Sequence, residues 1–391
     1  MPLIWLRYPY QNSFQEETAI TTTRRLVGVM LLLGCLVAGA IFLLSPPPAM
    51  PPPPPANRAG TPQLGGEPIL PLPLEVTWNE EKARLGERLF HDRRLSATQT
   101  TACASCHLAN KGRADGLAHS IRHDGAPTPV NTPTLFNVTY NFKLFWNGRT
   151  DTLGQQLEQD QSTGIKWEIL PARLSADPDY AKSFARLYPQ TGISVSTLRD
   201  ALIHYERSLV TPNARFDRYL RGDSHALSAP ELRGYQLFKS YGCVACHQGV
   251  NVGGNLFQKF GIMGDYYADH GITPSKADFG RYALTRREED KFVFRVPSLR
   301  NVALTAPYLH DGSAPDLDDV VSDMAQYQLG RPLPEADKAD IIAFLKTLTG
   351  EYRRQPLAPR PPAGGTPVGS PLLRSSPSAA SGGVPLAGTT P

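Results

Sequence analysis

Cys103-Ala104-Ser105-Cys106-His107 and Cys243-Val244-Ala245-Cys246-His247 repeat one pattern, two thiols three positions apart with an imidazole directly after the second. That spacing lets two sulfurs add to the two vinyl groups of a single haem while the adjacent histidine is held beneath the iron as proximal ligand. A zinc knuckle or a redox dithiol also uses paired cysteines. Zinc, however, needs four ligands converging on one ion, and each motif here carries its own histidine far along the chain from the other. The pair therefore reads as two covalently bound haems c, attached through Cys103, Cys106, Cys243 and Cys246, with His107 and His247 as iron ligands. The fifth cysteine, Cys35, lies in an apolar run, so no disulfide framework exists. In bacteria haem attachment takes place outside the cytoplasm.

Around these motifs the chain is only partly globular in composition. Of its 391 residues, 37 are Pro, concentrated in two tracts, and the net charge of +4 has no basic run, which gives no reason for a nucleic-acid partner. Residues 1–25 are polar and mixed and end in Arg24-Arg25. Leu26 to Leu44 then carries no charge, and as a helix would span roughly 28 Å, close to a bilayer core. The flanking arginines put the N-terminus in the cytoplasm and the haems outside. A cleaved signal peptide is the alternative, and Leu32-Leu33-Gly34-Cys35 resembles a lipoprotein cleavage box. Residues 45–75, including Pro51 to Pro55, read as an extended Pro-rich tether. Residues 353–391 read as a disordered Pro/Gly/Ser-rich tail.

The intervening region has the spacing of helices and no alternating strand pattern. Asn79-Glu80-Glu81 starts a helix carrying Leu85, Leu89 and Phe90 on one face. Ser228-Ala229-Pro230-Glu231 is a capping box for a helix running toward Cys243. The last helix runs from about Pro334 to Leu348 and stops at Gly350. A Leu/Gly/Leu-Phe echo precedes each haem motif, at Leu85-Gly86 with Leu89-Phe90, and at Leu232, Gly234 and Leu237-Phe238. The fold expected is mainly α: two cytochrome c-like haem domains with long irregular loops, at 76–212 and 213–352, preceded by one transmembrane helix at 26–44.

Further segments carry a family resemblance. Leu89-Phe90-His91-Asp92-Arg93-Arg94-Leu95, Asn131-Thr132-Pro133-Thr134, Phe145-Trp146-Asn147-Gly148-Arg149, Phe294-Arg295-Val296-Pro297 and Pro307-Tyr308-Leu309-His310-Asp311-Gly312 together resemble bacterial di-haem cytochrome c peroxidases and their relatives that mature methylamine dehydrogenase. The resemblance implies that the C-terminal haem accepts electrons and the N-terminal one reduces peroxide. It also implies roles for single residues. His123 matches a removable distal ligand of the N-terminal iron, though Arg122 stands where Gly is common, and His119 competes for the role. Met324 matches the second ligand of the C-terminal haem, where the maturation enzymes have Tyr; Met263 is its rival. Trp146 matches a tryptophan between the haems. Gln156 and Glu168 match the peroxide pocket, with an insertion between them relative to the family, whereas Glu158 and Asp160 read as solvated charges. Asn131, Thr305 and Pro307 match an interdomain calcium site.

The activity so implied is reduction of hydrogen peroxide to water. Electrons would come from a small cytochrome c, a cupredoxin or the membrane quinol chain. The setting would be the bacterial inner membrane, single-pass, with the haem domains in the periplasm; a homodimer stays open. Two other readings remain. One is a non-catalytic dihaem electron-transfer cytochrome, and the other a di-haem oxidase acting on a protein partner through high-valent iron.

Overall fold

The computed structural model describes residues 66–358, so the expected transmembrane helix at 26–44, the N-terminal segment before it and most of the C-terminal tail lie outside the described residues. Among the described residues, no helix is long and apolar enough to cross a membrane. The architecture is mostly helical. Helix α1 (Glu80–His91) is started by Asn79, whose side chain accepts from the Lys82 N–H, and α2 (Cys103–Cys106) is the single turn of the first haem motif. There follow α3 (Leu153–Gln159), α4 (Leu170–Ser175), α5 (Pro178–Leu187), α6 (Val195–Ser208) and α7 (Arg215–Leu220). The second half contains α8 (Ala229–Ser240), α9 (Tyr266–Asp269), α10 (Tyr282–Thr285), α11 (Leu317–Leu329) and α12 (Glu335–Lys346). At the start of α8, Glu231 reaches back to accept from the Ser228 N–H at 2.8 Å, as the capping box requires. Strand content is slight: an antiparallel pair β1 (Phe257–Lys259) and β2 (Val293–Arg295), and a hairpin of β3 (Glu351–Tyr352) with β4 (Gln355–Pro356).

Three apolar clusters form among the described residues, two of them large. One gathers Leu85, Leu89 and Phe90 of α1 with Leu198, Ala201, Leu202 and Tyr205 of α6. The other gathers Tyr235 and Phe238 of α8 with Ile341, Phe344 and Leu345 of α12. The Leu/Gly/Leu-Phe echo has a packing reason. A Cβ on Gly86 would lie 2.0 Å from the Ala201 carbonyl oxygen, and one on Gly234 would lie 1.9 Å from that of Asp340. Each helix pair thus touches backbone to backbone at its glycine, and each phenylalanine rests near a haem-motif histidine, Phe90 at 6.3 Å from His107 and Phe238 at 6.4 Å from His247 between ring centroids.

Three expectations need correction. The last helix ends at Lys346, and Gly350 is not its cap: a Cβ there would meet the Thr211 carbonyl at 2.1 Å, so close packing requires the glycine. The stretch read as tether is docked where it is described, with Ile69 and Leu72 fully buried. The Leu72 N–H donates to Asp217, and Arg300 donates to the Leu70 carbonyl, while Arg300 and Asp217 form an ion pair with both side chains inaccessible to solvent. Removing one member of such a pair strands the other charge, at a cost of about 3–5 kcal/mol. The start of the expected tail is ordered too, because residues 353–356 close the β3–β4 hairpin and Tyr352 and Leu357 pack on the first core.

Candidate haem sites

The second motif opens on a cavity of about 450 Å³ lined by Cys243, Cys246 and His247, with apolar walls that include Phe238, Phe260, Phe294 and Leu345. That size and lining suit a bulky apolar cofactor with few polar contacts. Burial pushes the His247 imidazole down to about 4, so it is the neutral ring that an iron ligand must be, and it pushes the Cys243 thiol up to about 11. Met324 lines the same cavity from α11 and packs against the cluster of Phe260, Phe294 and Tyr327. Met263 also lines it but is 59% exposed. Gln328 and Gln258 are among its polar groups, with Asn141, Arg295 and Ser298.

Trp146, Asn131, Thr305 and Pro307 line this cavity as well. The loops carrying Trp146 and His310 are each closed by a single bridge, Leu144 to Thr150 and Tyr308 to Ala314. Residues Phe145 (φ 62) and Leu309 (φ 69) adopt the left-handed conformation that turns the next side chain inward. The rings of Trp146 and His310 then meet edge to face with centroids 6.4 Å apart. Trp146 Nε1 donates to the Asn131 carbonyl, and the Asn131 N–H donates to the His310 carbonyl. Asn131 Nδ2 donates to the Leu117 carbonyl, leaving its Oδ1 as the oxygen available to a cation.

At the first motif, His107 Nδ1 lies 2.9 Å from the Arg113 carbonyl, which fixes the ring and leaves Nε2 for iron. Burial lowers the His107 pKa and raises those of Cys103 and Cys106. His123 is held through its N–H to the Ser162 carbonyl. Its ring lies flat on Gly164: a Cβ there would sit 2.2 Å from Nε2 and 2.6 and 2.7 Å from the two flanking carbons, which is the ring face. The edge of Nε2 is left open, and Nδ1 is buried without a partner. His119 is exposed, with Nδ1 against the Thr128 carbonyl. Gln156 of α3 is half-buried with Oε1 unpartnered, whereas Glu168 is exposed on the turn Trp167–Ile169.

Two carboxyls that the sequence reading passed over face this site. Asp160, read as a solvated charge, accepts from the Ser162 N–H and from the hydroxyls of Ser162 and Thr163, and its charge acts on Cys103, Cys106 and His107. Glu206 of α6 is 2% exposed with Oε2 unpartnered, and burial pushes its carboxyl up to about 8. The signal for Glu206 was its place in the apolar stripe of Leu198, Leu202 and Tyr205; Asp160 gave none in sequence.

A family model described as di-haem cytochrome c peroxidase matches residues 80–225. The cytochrome c peroxidase Ccp of Escherichia coli is 42% identical over 302 residues, covering 76% of this chain and 64% of that protein, so the match spans somewhat less than two thirds of it. The cytochrome c551 peroxidase of Pseudomonas aeruginosa is 38% identical over 303 residues, 74% of this chain and 87% of the relative. A solved MauG-like protein associated with microbial copper homeostasis superposes with a TM-score of 0.64 at 32% identity, over 73% of this chain and 93% of that one. With relatives this similar over most of their length, and with both haem motifs seated under paired helices, the chain belongs to the di-haem cytochrome c peroxidase family.

Proposed function

We propose that this chain reduces hydrogen peroxide, taking two electrons and two protons per peroxide to give two waters. Electrons enter at the C-terminal haem c and pass to the N-terminal one. The observation that carries the reading is the meeting of His247, Met324 and Trp146 around one cavity, with Trp146 tied through Asn131 to the His310 loop. Haem c, when bound, supplies one-electron redox chemistry at iron. The chain does the rest. His247 and Met324, which both line the cavity, would supply the protein ligands of its iron, and a thioether ligand would favour the reduced state, which suits an electron-accepting centre. Trp146 offers an aromatic bridge toward the N-terminal half. There His107 is held by Arg113, His123 is the removable ligand resting on Gly164, and Gln156 borders the peroxide pocket.

Protons come from carboxyls, since one peroxide oxygen must gain a proton as the bond breaks. The family resemblance assigns this role to Glu168, which is exposed on its turn, and Asp160 faces the site. Asn131 Oδ1 and the carbonyls of Thr305 and Pro307 form a hard-oxygen set for one calcium. The two halves, 76–212 and 213–352, act as the peroxidatic and electron-accepting domains. The apolar segment 26–44 anchors them to the inner membrane from the periplasmic side, where a small cytochrome c, a cupredoxin or the quinol chain delivers electrons.

The test uses the purified full chain with two haems c, mixed with peroxide and an ascorbate-reduced small c-type cytochrome. Oxidation of two cytochromes per peroxide is expected. A fully loaded chain that leaves peroxide untouched is an electron-transfer cytochrome instead. Met324→His should lower the C-terminal midpoint and slow electron entry with two haems retained; an unchanged redox titration would hand the ligand role to Met263.

A further inference from the structure

Arg113 is 2% exposed, yet among the described residues no carboxylate lies within ion-pair distance of it. Its guanidinium carbon sits 5.7–5.9 Å from the ring centroids of Phe90, Phe136, Tyr205 and Tyr352. Nε has no hydrogen-bond partner, nor does the Tyr205 hydroxyl, while Nη1 reaches the His107 carbonyl at 3.5 Å. The nearest acid acting on these tyrosines, Glu87, is taken by Arg353 at the surface. Taking a guanidinium out of water costs several kcal/mol, and aromatic faces return about 2 kcal/mol at a desolvated site. The backbone at Arg113 is also in the left-handed region, φ 61, where a non-glycine residue is strained. That conformation aims the Arg113 carbonyl at His107 Nδ1. A costly charge and a strained turn therefore coincide on the one residue that holds the proximal histidine.

We propose that Arg113 is a positioning residue that raises the reduction potential of the N-terminal haem. Its carbonyl orients His107, and its caged guanidinium stabilises the reduced, less positive iron relative to the oxidised. The inference rests on His107 as the iron ligand. The aromatic cage keeps water away, so the charge is poorly screened and acts on the iron more strongly than a surface charge would. Tyr352 closes the cage from the β3–β4 hairpin, so a segment beyond the last helix of the chain's second half helps set the haem of the first. A higher N-terminal potential brings that centre closer to the electron-accepting one and eases transfer between them.

The experiment is a spectroelectrochemical titration of the fully loaded full-length protein. Arg113→Met keeps the volume and the backbone carbonyl but removes the charge. It should lower the N-terminal midpoint by an amount equal to about tenfold in the reduction equilibrium constant, leave the C-terminal midpoint in place, and be largely rescued by Arg113→Lys. An unshifted midpoint with two haems c per chain overturns the inference. Should Arg113→Met fail to load both haems, Tyr352→Leu decides: it leaves charge and carbonyl in place and opens the cage to water. A smaller fall in the same midpoint supports the role, and no change refutes it. Loss of only the C-terminal midpoint would overturn it equally. A wild-type chain carrying fewer than two haems would instead sink the reading of the motifs themselves.

Discussion

Replacing Gly86 by alanine sets helix propensity directly against tertiary packing. Alanine in a helix interior is favoured over glycine by about 1 kcal/mol, so α1 taken alone would be strengthened. In the fold the new Cβ would lie 2.0 Å from the Ala201 carbonyl oxygen, 2.6 Å from its carbon and 2.9 Å from the Tyr205 Cβ. Ordinary contacts need roughly 3.5 Å, so α1 and α6 must part by more than about 1 Å. The side chains at that seam, Leu85, Leu89, Phe90, Leu198, Leu202 and Tyr205, are at most 3% exposed and lose contact together. A gap of about 1 Å forfeits up to half of each dispersion well, and overpacking of this kind costs about 1–3 kcal/mol or more. We expect a net loss of about 2 kcal/mol, or a fall of about 4–8 °C in Tm followed by circular dichroism. Gly154→Ala is the matched control. Its Cβ would meet the Ile203 Cδ1 at 3.7 Å and the Thr152 Oγ1 at 3.8 Å, both ordinary contacts, so propensity alone should hold or raise Tm. If Gly86→Ala melts at or above wild type, backbone contact does not govern this helix pair and the echo before each haem motif has another cause.

Gly164→Ala should push the His123 ring off its shelf, since the Cβ would fall 2.2 Å from Nε2 and φ is already +60; oxidised protein should then show a high-spin ferric N-terminal haem by EPR and react with peroxide without prior reduction. A spectrum identical to wild type would mean that His123 does not ligate. Glu206→Gln should flatten the pH dependence of stability. The folded carboxyl is held near 8 against an ordinary value of 4.5, so the fold retains a proton that the unfolded chain releases. Stability is then full below about 4.5, declines as pH rises toward 8 by roughly 1.4 kcal/mol per unit at most, and levels off beyond. Glutamine carries no proton to lose, so its Tm should fall less between pH 5 and 8 than that of wild type. Equal slopes would show that Glu206 is ionised in the folded protein.

The covalent chemistry of this protein is written in contiguous residues. Thiol spacing and the adjacent histidine decide haem attachment within five positions, and Asn79 and Glu231 start their helices through bonds to backbone three residues away. Such features need no partner from elsewhere in the chain, so they could be read in advance. Met324, Trp146 and Asn131 were legible through a family resemblance, and the fold then brought them to one cavity. What no local pattern contains is the environment of a charge. Asp160 reads as a solvated acid in sequence and Glu206 shows only its place in a helical stripe, yet one is held by neighbouring hydroxyls and the other is 2% exposed beside Tyr205. Arg113 becomes a caged cation only when Phe90, Phe136, Tyr205 and Tyr352 arrive from four separate parts of the chain. Likewise, Ile69 and Leu72 sit in a stretch whose composition favours extension, and the Asp217–Arg300 pair captures it. Burial and the screening of charge are set by residues distant in sequence, so tertiary structure alone decides them.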